Sequence, residues 1–174
     1  MTNIDEILAI IGNGDRKSYF DTVRYCGLLL EKHSNAPDNM DTYKQLLPEP
    51  YFSIQLAPID IENLIKTLGK KVVTEPHGHE LLWALGKAYS SCEPLRYILI
   101  WLKKYCQVSD DLTIYQSLIS LSHFLWRTDE NHWMPEVQKI FNEVDPVPLL
   151  YEVLDKDLPE SHSTARQLLT ILLQ

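Results

Sequence analysis

Apolar residues in this chain recur at helical spacing in short runs, and the runs come in pairs. Residues 146–155 make one run, the Leu158-Pro159 step interrupts it, and residues 161–173 make a second. Residues 61–72 and 79–89 repeat the form. Ile61, Leu64, Ile65, Leu68 and Val72 keep i, i+3, i+4, i+7 spacing, and Leu81, Leu82, Leu85, Ala88 and Tyr89 share the next stripe. Helices this short gain most of their stability from packing, so each pair must lie against a neighbour. Pairs stacked in this way form an extended outer surface rather than an enclosed reaction chamber. The fold class is therefore all-α, and partner binding is the class of function that suits it.

The remaining segments follow the same logic. A first helix carries Ile4, Ile7, Leu8 and Ile11 and stops at Gly12-Asn13-Gly14. A longer one opens at Asp15 and runs to about His33, with Phe20, Val23, Gly27 and Leu30 on one side and Tyr19 and Cys26 beside them. A brief helix over residues 39–47 ends at Pro48-Glu49-Pro50. Residues 51–58, where Phe52, Ile54 and Leu56 alternate, suit an extended segment lying across helices. Asp60 is placed to cap the helix that follows. From Pro94 a helix carries two stripes, Leu95-Leu99-Leu102-Cys106 and Tyr97-Trp101-Tyr105, covering roughly 200° at 100° per residue. Such a helix packs on two sides and belongs in the middle of a stack. Asp110-Asp111 caps the next helix, whose Ser117, Ser120 and Ser122 permit close helix approach, and which runs through Trp126. A further helix covers residues 135–144, and Asp145 caps the final pair with Pro146 at its first position.

Two of these pairs resemble HEAT and armadillo repeats. Ile61-Glu62-Asn63-Leu64-Ile65-Lys66-Thr67-Leu68 is similar to a first repeat helix, and Glu80-Leu81-Leu82-Trp83-Ala84-Leu85-Gly86-Lys87 to its partner. Pro148-Leu149-Leu150-Tyr151-Glu152-Val153-Leu154 with Ala165-Arg166-Gln167-Leu168-Leu169-Thr170-Ile171-Leu172 is a second instance. First helices start near 60, 94 and 146, an irregular spacing explained if residues 135–144 are an inserted helix. The resemblance implies an irregular right-handed α-α superhelix over residues 60–174, with residues 1–59 as capping helices of one domain spanning 1–174. An orthogonal helical bundle is the alternative. The resemblance also implies protein–protein binding, with no catalytic residue.

Charge gives the surface a direction. Residues 1–59 hold 8 acids and 5 bases (−3), residues 60–108 hold 5 and 7 (+2), and residues 109–174 hold 11 and 4 (−7), for a total of −8. A chain without a basic stripe cannot neutralise a polyphosphate, which argues against nucleic acid. A protein with a basic surface is the better match. Three cysteines (Cys26, Cys92, Cys106), without a Cys-x-x-Cys pair, fit reduced thiols in helical settings. No apolar run reaches the length of about 18–20 residues that spans a bilayer. The residues ahead of the first apolar stretch are acidic, unlike those of a secretory signal. The expectation is a cytoplasmic monomer away from membranes.

Few residues invite chemistry. Glu75-Pro76-His77-Gly78-His79-Glu80 offers two imidazoles and two carboxylates, but a metal site needs a further ligand from elsewhere, and an interhelical turn accounts for the same residues. No nucleophile elbow, phosphate-cradling glycine loop or His-Glu-x-x-His motif occurs. Neither metal nor cofactor is expected, and the chain is not expected to be an enzyme. Trp83 stands on the polar side of its helix between His79 and Lys87, the position of either an interface anchor or a residue packed beneath an adjoining segment. Trp133, with Asp129, Glu130 and His132, makes a second candidate contact edge, and Asp155 and Asp157 extend the acidic surface. The expected mechanism is electrostatic steering of a basic partner followed by burial of aromatic anchors. Two alternatives remain: an immunity or antitoxin-like protein that neutralises a nuclease toxin, and a HEAT-like enzyme such as a bilin lyase.

Overall fold

The computed structural model describes residues 3–14, 16–34, 40–125 and 135–174, without the side chains of Arg16 and Lys17. The described residues form eleven helices and no strand: α1 (Ile4–Asn13), α2 (Arg16–Ser34), α3 (Met40–Leu46), α4 (Glu49–Phe52), α5 (Pro58–Val72), α6 (His79–Gly86), α7 (Glu93–Tyr105), α8 (Asp111–Leu125), α9 (Pro135–Glu143), α10 (Pro146–Leu154) and α11 (Pro159–Leu172). The fold is all-α. Among the described residues no helix is long and apolar enough to cross a membrane.

Four pairs of contacting helices organise the chain: α1 with α2, α5 with α6, α7 with α8, and α10 with α11. The first helix of each pair packs on the first helix of the next, in the order α1, α5, α7, α10. The second helices do likewise, in the order α2, α6, α8, α11. Two rows of helices result, with the core between them. Helix α7 touches α5, α6, α8, α9 and α10, which is why its two apolar stripes are both used. Leu95, Leu99, Leu102 and Cys106 are buried on one, and Trp101 is fully buried on the other. The Trp101 Nε1–H is satisfied by the Glu75 carbonyl at 2.8 Å, as a buried indole requires.

Small residues set the spacing within the second row. A Cβ built on Gly27 of α2 would lie 2.5 Å from Cζ3 of Trp83 and 3.0 Å from Cα of Ala84 on α6. One built on Gly86 of α6 would lie 2.5 Å from Oγ of Ser120 on α8. Ser120 also donates to the Leu82 carbonyl at 2.8 Å, so its hydroxyl joins the two helices where they come closest. Ser117 and Ser122 instead donate to carbonyls three residues back on their own helix.

Several local expectations are revised. Asp60 is the third residue of α5, not its cap. The helix begins at Pro58, and Asp60 reaches back to accept from the Ala57 amide at 2.8 Å. Residues 51–58 are not one extended segment: α4 ends at Phe52, residues 54–57 belong to no helix, and Pro58 opens α5. Lys32 of α2 holds this stretch by donating to the carbonyls of Phe52 (2.5 Å) and Ile54 (3.3 Å). Pro159 is the first residue of α11 rather than part of a break ahead of it. Phe20, placed above on one side of its helix with Val23 and Leu30, is 55% exposed, whereas those two are fully buried. Gly14 closes α1 in the left-handed conformation (φ 70°), which glycine alone enters at little cost.

Candidate partner-binding edge

The turns that close the last three helix pairs lie side by side and are joined by side-chain hydrogen bonds. The loop after α5 exposes carbonyls that no helix satisfies, and the next pair supplies their donors. Lys104 and Tyr105 donate to the Val73 carbonyl at 2.9 and 3.1 Å, and Ser109 donates to that of Pro76 at 2.6 Å. His77 Nδ1 meets Asp110 Oδ2 at 2.9 Å. The α7–α8 turn is tied to the α10–α11 turn in the same way. Lys156 donates to the Cys106 carbonyl at 2.5 Å, and Gln107 donates to Glu152 at 3.0 Å.

Asp110 and Asp111 divide the capping work. Asp110 caps its own helix, accepting from the Thr113 amide at 2.9 Å and the Thr113 hydroxyl at 2.8 Å. Asp111 faces the next pair and accepts from the amides of Glu160 (2.9 Å) and Ser161 (3.1 Å) in the first turn of α11. Those amides have no acceptor within their own helix. Burial pushes the Asp110 carboxyl upward, but the His77 and Thr113 hydrogen bonds outweigh it and hold the group at about 2. Glu152 is held below the ordinary range by hydrogen bonds from Gln107 and Cys106.

The result is a clamped acidic edge. Residues 104–112 and 151–162 contribute six carboxylates (Asp110, Asp111, Glu152, Asp155, Asp157 and Glu160) against two lysines, Lys104 and Lys156. Asp155 and Asp157 are exposed beside this turn. Two aliphatic side chains stand open among the acids: Val108 is 69% exposed and Leu112 is 61% exposed. The pattern of charges could have been found in the sequence. The two aliphatics could not, because the periodicity of α7 and α8 draws attention to their buried stripes.

The other candidate residues are placed differently. The ring of Trp83 covers Gly27 on α2, and Lys87 lies over that ring at 5.3 Å while pairing with Glu31 at 2.7 Å. This is a packed cluster between two helices, in which the Lys87 and Glu31 charges are already matched. His79 is half-buried at the first position of α6. Asp129, Glu130, His132 and Trp133 lie outside the described residues. Among the described residues, no group of three or more His, Cys, Asp or Glu is arranged to hold a metal ion. All three cysteines are free. A groove of about 670 Å³, lined by His33, Ile61, Glu62, Lys66, Glu93 and Tyr97 among others, lies at the opposite ends of the helices and carries both signs of charge. No protein-family model, curated protein or solved structure matches the chain.

Proposed function

We propose that this chain is a non-catalytic protein-binding module, an irregular α-α superhelix whose acidic turn edge docks a protein with a basic surface. Two rows of like-with-like helix contacts support the superhelical reading, since an orthogonal bundle has no reason to repeat them along the chain. The observation that carries the binding reading is the exposure of Val108 and Leu112 on either side of Asp110 and Asp111. Isolated surface aliphatics are ordinary, but Val108 in the α7–α8 turn and Leu112 in the first turn of α8, with two acids between them, have the composition of a small interface centre. The carboxylates steer a cationic partner and raise its association rate, and the aliphatics supply the area buried on contact. Phosphate-bearing partners are repelled by the same field.

The test is cross-linking capture with wild-type protein and with a variant carrying Val108→Ser, Leu112→Ser, Asp155→Lys and Asp157→Lys. A basic protein retained by the wild type and lost by the variant, with association that slows as salt rises, supports the reading. Equal capture by both proteins, or a captured partner that is acidic, overturns it.

A further inference from the structure

A second concavity, of about 470 Å³, opens between Gly14 at the end of α1, Tyr19 and Phe20 of α2, and the α5–α6 turn. Gly14, Tyr19, Phe20, Lys71, Glu75 and Glu80 line it, together with His77, Gly78 and Leu81. Tyr19 and Phe20 stand nearly perpendicular, with ring centroids 5.4 Å apart and planes at 73°. Their charged neighbours are unequally matched. Lys71 sits 6.0 Å from the Tyr19 ring centroid and pairs with Glu75 at 3.5 Å. His77 is engaged by Asp110. Among the described side chains, Glu80 has no ion-pair partner and no cation lies over the Phe20 ring, which is more than half exposed. The Tyr19 hydroxyl is pushed up to about 12, first by burial and then by Glu75 and Glu80.

An exposed aromatic face beside an unneutralised carboxylate has a specific chemical complement. A planar guanidinium stacks on such a ring while its N–H fork meets the carboxylate, which a compact ammonium cannot do in the same geometry. We propose that this groove receives one arginine side chain of a protein partner, lying on Phe20 and paired with Glu80. The inference extends the partner reading above, and relies on it only for the source of the arginine.

The test is an NMR titration with N-acetyl-L-arginine methylamide, following the ring resonances of Phe20 and Tyr19. N-acetyl-L-norleucine methylamide and N-acetyl-L-lysine methylamide serve as controls. Saturable shifts with the arginine amide are expected in the millimolar range, about −4 kcal/mol or weaker for one side chain. Glu80→Gln and Phe20→Ala, both at exposed positions, should each weaken that binding several-fold. The norleucine amide should produce no saturable shift, and the lysine amide should bind several-fold more weakly. Absence of saturable shifts with the arginine amide overturns the proposal, as does equal binding of either control or indifference to both substitutions. The Asp155→Lys, Asp157→Lys variant should titrate as wild type does, so failure at the edge and failure in this groove are read separately.

Discussion

The carboxylate of Asp111 accepts from both the backbone amide and the hydroxyl of Ser161, at 3.1 and 2.6 Å, although 50 residues separate them. One helix pair thus caps the second helix of the next. Ser161 is fully buried, so its hydroxyl cannot turn to water if the carboxylate is removed. The backbone carbonyl of residue 111 still accepts from that hydroxyl at 3.1 Å, so Asp111→Ala should cost about 0.5–2 kcal/mol through the lost cap. Ser161→Ala should cost about 1 kcal/mol. The double variant should cost less than the sum, as urea denaturation of the four proteins would show. Strict additivity would mean that the contact contributes nothing.

Glycine at the crossing of α6 and α8 is a matter of space. Gly86→Ala places a methyl group 2.5 Å from Ser120 Oγ and 3.0 Å from its Cα, and should destabilise the fold by about 1–3 kcal/mol. Gly12 provides the contrast. It lies within α1, exposed, with nothing within 4 Å of an added Cβ, so Gly12→Ala should stabilise by up to about 1 kcal/mol. Opposite shifts in Tm for the two variants are the expected result.

Asp110 makes stability depend on acid. Its folded value, about 2, lies below the ordinary 3.8, so its contribution is complete above about 3.8 and is lost as the pH falls towards 2. Asp110→Asn should flatten the stability profile between those limits, and His77→Ala should flatten it in part. Chemical denaturation at a series of pH values checks both. A wild-type slope retained in Asp110→Asn would assign the acid sensitivity to other carboxylates.

Thiol chemistry should separate the cysteines by burial. Cys26 is fully buried and its thiol is pushed up by desolvation. Cys106 is also buried and is raised to about 11 by burial and by Glu152. Cys92 is half-buried and raised by burial and then by Glu136. A disulfide reagent at pH 8 should modify Cys92 slowly in the folded protein, and the other two only on unfolding. Fast labelling of two thiols would contradict this packing.

Much of the fold was legible because burial and helical period are the same information. The stripes on α5, α7 and α10 needed no tertiary knowledge, and Asp145 announced its helix, accepting from the Val147 amide at 2.9 Å. Neighbouring identical residues were harder. Asp110 and Asp111 look alike as helix-start acids, yet one caps its own helix and the other caps a helix from the adjacent pair. Trp83 had the sequence position of an exposed anchor, but Gly27 on a distant helix leaves room for its ring to pack.

By itself, then, the sequence determined the all-α class, the pairing of short helices and the acidic bias of residues 109–174, because these depend on local period and on counted charge. Only the tertiary structure decided which pairs stack, which carboxylates are spent on caps, and that Val108, Leu112 and Phe20 stand open. Those outcomes depend on what lies opposite each side chain across the core. Residues far apart along the chain make that choice, and no window of sequence contains it.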